Sequence, residues 1–186
     1  EIGGGFGGKT TIYLEPVAAA LSKKAGAPVK VTMSRADVLE ASGPTSGSLM
    51  NVKMGVTNEG KITAAQVELK FEAGGFPGSP VGGAAACMLS QYDIENLRID
   101  GYDVVDNKPK SNAYRAPGAP IGTFAVESLV DEICEKLSID KLDFRIMNAA
   151  REGTRRSNGT VNPVIGAVEV NESAKNTEHW STPLEG

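Results

Sequence analysis

Near the start of the 186-residue chain, Gly3-Gly4-Gly5-Phe6-Gly7-Gly8-Lys9-Thr10 places five glycines in six positions. Glycines accept positive φ and let the backbone turn successive N–H groups toward an anion, so this run could cradle one. Gly3, Gly8, Lys9 and Thr10 satisfy G-x-x-x-x-G-K-[ST], the phosphate-binding P-loop, while Gly3, Gly5 and Gly8 satisfy G-x-G-x-x-G, the dinucleotide fingerprint. A glycine-rich turn without a ligand fits the same residues. A P-loop wants a strand before it, absent from the chain, and a distant aspartate for magnesium, for which only Val104-Val105-Asp106 offers itself. A dinucleotide fold wants an acidic residue about 20 positions on, where Lys23 and Lys24 stand. The second candidate for chemistry is Arg115, in Asn112-Ala113-Tyr114-Arg115-Ala116-Pro117-Gly118-Ala119-Pro120. Its guanidinium is permanently charged and forked, suited to an anionic oxygen, and two prolines and a glycine stiffen its loop.

Hydrophobic residues make up 40% and charged residues 23% of the chain, which permits a buried core. A net charge of -4 and 5% aromatic residues leave neither a basic footprint nor a stacking platform for nucleic acid. Cys87 and Cys134 lie far apart and outside any CxxC pattern, so no zinc or iron–sulfur site is expected from this chain, and both read as buried thiols of a reducing compartment. No apolar run approaches the ~20 residues of a membrane span, and a cytoplasmic location is expected. Glu1 stands where a start methionine would, with the glycine run directly after it, so a fragment of a larger protein is expected.

The elements that must hold these two loops follow from periodicity. Ile12, Leu14, Val17, Ala20 and Leu21 recur at roughly helical spacing, with Pro16 delaying the start and Gly26 and Pro28 ending the helix. Val29 to Met33 alternates as a strand, and Ser34 to Ala41 reads as a short helix. Leu49 to Thr57 and Ile62 to Glu72 alternate around the turn Asn58-Glu59-Gly60-Lys61, an expected hairpin with a β-bulge between Ala64 and Val67, where the parity slips. Gly74 to Gly83 is a loop, Ala84 to Leu89 a short buried helix, and Leu97 to Val105 one or two strands broken at Gly101. Thr123 is the expected N-cap of the main helix, with Phe124, Leu129, Val130, Ile133, Cys134 and Leu137 as its apolar stripe and Glu127 and Asp131 facing away. Asp140 caps a helix through Met147, and Ile165 to Lys175 forms a last one. Such segregated elements predict an α+β fold, an antiparallel hairpin-containing sheet with packed helices.

Gly3 to Lys9 resembles the GGFGGK loop of the large, molybdopterin-binding subunit of the xanthine dehydrogenase and aldehyde oxidase family. Asn112 to Pro120, followed by Gly122-Thr123-Phe124-Ala125-Val126-Glu127-Ser128, resembles that family's arginine loop and the helix after it, and Asp131-Glu132 to Asn148 continues the likeness. The resemblance covers Glu1 to about Glu152. It implies residues 1–150 as an α+β portion of a larger molybdenum cofactor-binding domain and 151–186 as a polar connector with a C-terminal helix and tail. It further implies hydroxylation of an aldehyde or of a carbon next to nitrogen, with water as the oxygen source. Electrons would leave to iron–sulfur and FAD centres on partner domains or subunits, and the oligomeric state stays open.

By that resemblance the backbone of Phe6 and Gly7, flanked by Gly5 and Gly8, lies against the molybdenum cofactor, and Arg115 borders it. Phe6 reads equally as a core anchor for its loop. Lys9 at a helix start is often simply solvated. No metal ligand or catalytic residue is assigned to the chain, because the family's glutamate base stands in a Gly-Glu motif beyond Gly186. The fragment alone is therefore expected to be inactive and to bind no cofactor. Thr10 stands where purine-oxidising relatives have glutamate, Pro117 where they have a stacking phenylalanine, and Gly83 near where they have an arginine. These departures point away from xanthine, toward a smaller or differently shaped small-molecule substrate. The alternatives are a P-loop nucleotide-binding fragment and a non-catalytic α+β interaction module. His179, beside Trp180, reads as a surface residue.

Overall fold

The computed structural model describes residues 3–182. Its centre is a three-stranded sheet in the order β1-β2-β3, formed by β1 (Ser48–Val56), β2 (Ile62–Gly74) and β3 (Asn96–Val105). β1 and β2 pair antiparallel around the expected turn, with Val52 opposite Val67. β3 returns parallel to β2, with Ile99 opposite Val67, so the sheet is mixed and Gly101 does not interrupt the strand. The crossover holds α3 (Val81–Cys87), one turn earlier than the alanine run suggests.

The bulge is present but displaced. Val56 pairs with Ile62 and Gly55 with Ala64, leaving Thr63 as the extra residue, and the buried alanine is Ala65. Ile62, Ala65, Val67, Leu69 and Phe71 thereby all face inward.

Over that face lie α3 and α4 (Ala119–Leu137), and α5 (Lys141–Asn148) packs against α4 at the hairpin-turn end, with Phe144 in the same core. α4 begins four residues before Thr123, with Gly118 as its N-cap residue and Pro120 in its first turn, where an amide hydrogen has no intrahelical acceptor to lose. Thr123 is therefore inside the helix and caps nothing. The buried stripe is Gly122, Val126, Val130 and Cys134 at i, i+4 spacing, and Phe124 points to solvent at 73% exposure. Asp140 caps α5 as expected, accepting from the amides of Leu142 and Asp143 at 2.9 and 3.0 Å.

Asn148, fully buried at the end of α5, accepts from the Ile62 amide at 2.9 Å and donates to the carbonyls of Gly60 and Phe144, also at 2.9 Å. It ties the hairpin turn to the helical layer. The remaining helices are peripheral: α1 (Glu15–Ala25), α2 (Arg35–Ala41, with a Ser34–Asp37 capping box), α6 (Ala167–Lys175) and α7 (Glu178–Ser181), the last carrying an exposed His179. Val29 to Met33 forms no strand. Its apolar residues are half-buried in alternation as expected, but the segment makes no ladder with any described strand. Alternation reports which side is covered, and only a partner's backbone makes a strand. No helix among the described residues is long and apolar enough to cross a membrane.

Candidate functional site

The glycine run is a tight turn. Gly8 N–H donates to the Gly5 carbonyl at 2.9 Å, and the two residues between them have positive φ, 50° at Phe6 and 90° at Gly7. Both signs positive is the type I′ pattern, which glycine accommodates freely and phenylalanine only with strain. A side chain at Gly7 would also lie 2.9 Å from the Ala113 carbonyl oxygen. The turn is followed by bends, and α1 starts only at Glu15.

That spacing rules against both nucleotide readings. A P-loop opens its helix at the Gly-Lys-Thr triplet so that the helix N-terminus faces the phosphates. Here Lys9 ends a turn, and the Thr10 hydroxyl is spent on the Gly7 carbonyl at 2.8 Å.

The second loop docks directly on the first. Arg115 N–H donates to the Phe6 carbonyl at 2.8 Å, joining the two sequence motifs by a main-chain bond. Ala116 has a φ of 57°, and Gly118, at 82°, sits so close to the start of α3 that a Cβ there would be 2.3 Å from the Pro80 carbonyl oxygen. The arginine loop is thus clamped between the glycine turn and α3.

Behind the contact, Asn112 and Tyr13 complete the frame. The Asn112 side chain donates from Nδ2 to the Tyr13 hydroxyl at 2.7 Å, and its Oδ1 accepts from the Ala113 amide at 2.8 Å. The Tyr13 hydroxyl also accepts from the Gly43 amide at 2.9 Å, while the Asn112 amide donates to the Pro44 carbonyl at 2.8 Å. Asn112 was visible only as the first residue of the arginine loop and Tyr13 not at all; a tyrosine in an irregular stretch gives no periodic signal.

Several polar groups are left over at this junction. The amides of Phe6 and Gly7 and the guanidinium of Arg115 have no hydrogen-bond partner among the described residues. The Phe6 ring is 67% exposed, which excludes the core-anchor role for it here. Unpaired N–H donors on one loop and an unpaired cation on the loop bonded to it suit an oxyanion-bearing cofactor. No group of three or more His, Cys, Asp or Glu able to hold a bare metal ion occurs among the described residues.

The family model described as the molybdopterin cofactor-binding domain matches residues 1–149. The chain belongs to this family. The nicotinate dehydrogenase large molybdopterin subunit of Eubacterium barkeri is 31% identical over 177 residues, which are 93% of this chain and 42% of that protein. The putative xanthine dehydrogenase molybdenum-binding subunit of Escherichia coli is 33% identical over 89% of this chain and 22% of its own length. The solved aldehyde oxidoreductase of Desulfovibrio gigas superposes with a TM-score of 0.86 at 28% identity, covering 94% of this chain and 20% of that one. The chain therefore spans less than half the length of these relatives.

Of the positions expected to face substrate, Pro117 lines a cleft of about 270 Å³ that also touches Thr11, Ser79, Lys110, Ser111 and Ala113. Thr11 lines that cleft and Thr10 does not. A side chain at Gly83 would meet the Pro117 carbonyl oxygen at 2.5 Å, so an arginine there would have to push the arginine loop aside.

A second polar cluster was not foreseen. Glu127, expected on the solvent side of α4, accepts at Oε1 from Gln91 and the Tyr92 hydroxyl, both at 2.7 Å, and at Oε2 from Arg145 at 2.6 Å. Arg145 also reaches Asp131 at 2.9 Å, and Lys141 bonds the other Asp131 oxygen at 3.0 Å. Burial first, then the neighbouring Glu127 carboxylate, pushes the Tyr92 hydroxyl far above its ordinary range, so it remains a donor. The cluster fastens α4, and hence the arginine loop at its start, to α5. Sequence offered only i, i+18 spacing between helices, which carries no periodic signature.

Proposed function

We propose that this chain forms one wall of the cofactor pocket in the molybdenum-binding subunit of a hydroxylase acting on an aldehyde or N-heterocycle. Residues 1–150 are the cofactor-binding portion, and 151–186 are a connector and tail. In this reading the amides of Phe6 and Gly7, with Gly5 and Gly8 giving the backbone room, donate to anionic oxygen on the molybdenum cofactor. Arg115 supplies the matching positive charge. The cofactor, when bound, supplies the redox chemistry that puts oxygen from water onto the substrate carbon. The chain's own work is electrostatic: fixed donors held by the Arg115–Phe6 main-chain bond need no reorganisation when charge develops in front of them.

The observation that carries the reading is that bond, because it brings together two motifs about a hundred residues apart, each of which carries donors without a partner among the described residues. The named relatives span nicotinate, xanthine and aldehydes. The blocked arginine position at Gly83 and Pro117 in place of an aromatic ring support a substrate other than xanthine. Iron–sulfur and FAD centres on partner domains or subunits would take the electrons, and a reducing, cytoplasmic setting suits two free thiols, of which Cys134 is buried as expected and Cys87 is exposed against expectation.

Metal and pterin analysis tests this on the whole subunit purified with its natural partners. Stoichiometric molybdenum and pterin are expected in the wild type and depleted content in Arg115→Met. Equal content in both would overturn the assignment of Arg115. The isolated 186-residue chain, which spans less than half the length of its relatives, should retain no pterin and turn over no aldehyde; retention with turnover would overturn the one-wall reading.

A further inference from the structure

α1 and α2 belong to an arm whose two ends meet at one point. The Gly43 amide donates to the Tyr13 hydroxyl, 30 positions back, at 2.9 Å, and Asn112 Nδ2 donates to the same oxygen at 2.7 Å. That point is tightly packed, since a Cβ on Gly43 would lie 2.5 Å from the Asn112 Cβ. Residues 14–42 therefore project from the frame behind the junction of the glycine turn and the arginine loop. Neither helix of the arm has a buried residue, and neither makes more than a marginal contact with another helix or strand. Val17 and Leu21, one turn apart on α1, and Leu39 on α2 are exposed. Residues 29–33, which join the two helices, run without a turn or bend, with Val29, Val31 and Met33 half-buried and Lys30 and Thr32 exposed, the period-two burial of a strand. The polar bonds of the joining segment stop on either side of them, at the Ala27 carbonyl, which accepts from Ser22, and at the Ser34 amide, which donates to Asp37. None of the five amides or five carbonyls between has a hydrogen-bond partner among the described residues, and the segment pairs with neither edge strand, β1 or β3. A straight run that is covered on one face and unpaired along both edges has the form of a sheet strand without its ladder.

We infer that residues 29–33 are a strand whose ladder partner is an extended segment of the same subunit outside residues 1–186, so that the arm is the face on which the rest of that subunit docks. This rests on the proposed function, in which one subunit completes the pocket of which this chain is a wall. Two observations favour that occupant over a second copy or a separate partner. The relatives carry the matching part inside one much longer polypeptide, of which it is 20% in the Desulfovibrio gigas aldehyde oxidoreductase and 22% in the Escherichia coli molybdenum-binding subunit. A segment tethered in the same polypeptide meets the arm at an effective concentration that a separate chain does not reach. The base of the arm is also continuous with the candidate site: Asn112 Oδ1 accepts from the Ala113 amide at 2.8 Å, and the Ala113 carbonyl is what a side chain at Gly7 would strike. Covering the arm and completing the pocket therefore fall to neighbouring parts of one body. The pairing is by main-chain bonds, with apolar side chains of the partner segment beside Val29, Val31 and Met33 and with Lys30 and Thr32 left on the wet face.

The test is an experimental structure of the whole enzyme with its partners, read together with backbone hydrogen exchange over the arm. Residues 29–33 should lie in a ladder with a segment of the same polypeptide outside the 186 residues. Alternate amides, either Lys30 and Thr32 or Val29, Val31 and Met33, should exchange at least ~100-fold more slowly than in an unstructured peptide, and all five should do so if the strand is paired on both edges. A solvated segment, a segment covered without a ladder, or exchange of all five amides at the unstructured rate would overturn the inference. So would a ladder with β1 or β3, with a second copy, or with a separate iron–sulfur or FAD subunit. Neither readout depends on cofactor content. An enzyme found free of molybdenum and pterin would defeat the proposed function, while the ladder alone decides this inference.

Discussion

The Tyr13 hydroxyl accepts a hydrogen bond from Asn112 Nδ2 at 2.7 Å across 99 positions of chain, and a second from the Gly43 amide at 2.9 Å. One oxygen therefore registers three segments: the stretch after the glycine turn, the loop before β1 and the arginine loop. Tyr13→Phe removes the acceptor for both donors at a cost of about 1–3 kcal/mol. In the whole subunit it should lower pterin content and leave the β1–β2 hairpin as protected from hydrogen exchange as before. Wild-type pterin content in this variant would show that the frame is redundant.

Gly7→Ala should be more damaging to cofactor retention than its size suggests. The position combines a φ of 90° with a Cβ contact of 2.9 Å to the Ala113 carbonyl oxygen, so alanine must both strain the turn and part the two loops. The expected cost is about 1–3 kcal/mol of local strain, read as molybdenum and pterin loss in the purified subunit. Full occupancy with unchanged kinetics would mean that the turn does not meet the cofactor.

Asn148→Leu keeps the volume roughly constant while stranding the Ile62 amide and the Gly60 carbonyl in a buried site. A loss of about 2–4 kcal/mol is expected from two unsatisfied groups. Hydrogen exchange at Ile62 should accelerate strongly and the melting temperature should fall. Protection at Ile62 equal to wild type would show that water or another group replaces the side chain.

The Glu127–Arg145 pair should show the asymmetry of partly buried ions. Arg145→Met leaves Glu127, with its side chain 27% exposed, facing the Tyr92 hydroxyl without its cation, at a cost of about 2 kcal/mol. The double variant Glu127→Met/Arg145→Met should be milder than Arg145→Met alone. Additive losses in thermal unfolding would count against coupling across α4 and α5.

Asp103 gives the loop before α3 an acid limit. Hydrogen bonding to the Ser79 side chain first, helped by the Gly78 and Ser79 amides and the charge of Lys110, holds its carboxyl below the usual aspartate range against the opposing effect of burial. A depressed folded value means that the stabilisation is present above the unfolded pKa, about 3.9, and is lost as pH falls through the lower folded value. Backbone exchange at Gly78 and Ser79 should therefore rise below about pH 4. In Asp103→Asn that rise should vanish; an identical acid response in the variant would assign it elsewhere.

Much of this protein was legible from local pattern. The hairpin at Asn58 to Lys61, the Asp140 cap and the existence of α4 follow from spacing and side-chain chemistry that act within a few residues. The two loop motifs were likewise visible, because glycine, proline and arginine in those positions restrict the backbone or carry fixed charge whatever the surroundings.

Tertiary structure decided everything that depended on a partner. Val29 to Met33 had the alternation of a strand and found no ladder, and Thr123 had the chemistry of a cap but lay inside a helix that the Gly118 turn starts earlier. Glu127 and Asn148 looked like ordinary helix polar residues until Arg145 and the Ile62 amide were placed against them. The glycine run by itself was compatible with several anions; what separated them was where α1 begins and which carbonyl meets the Arg115 amide. Sequence restricts the conformations available to each segment through short-range sterics and hydrogen bonding, whereas unpaired donors can be directed at one ligand only after distant segments have used up all the others.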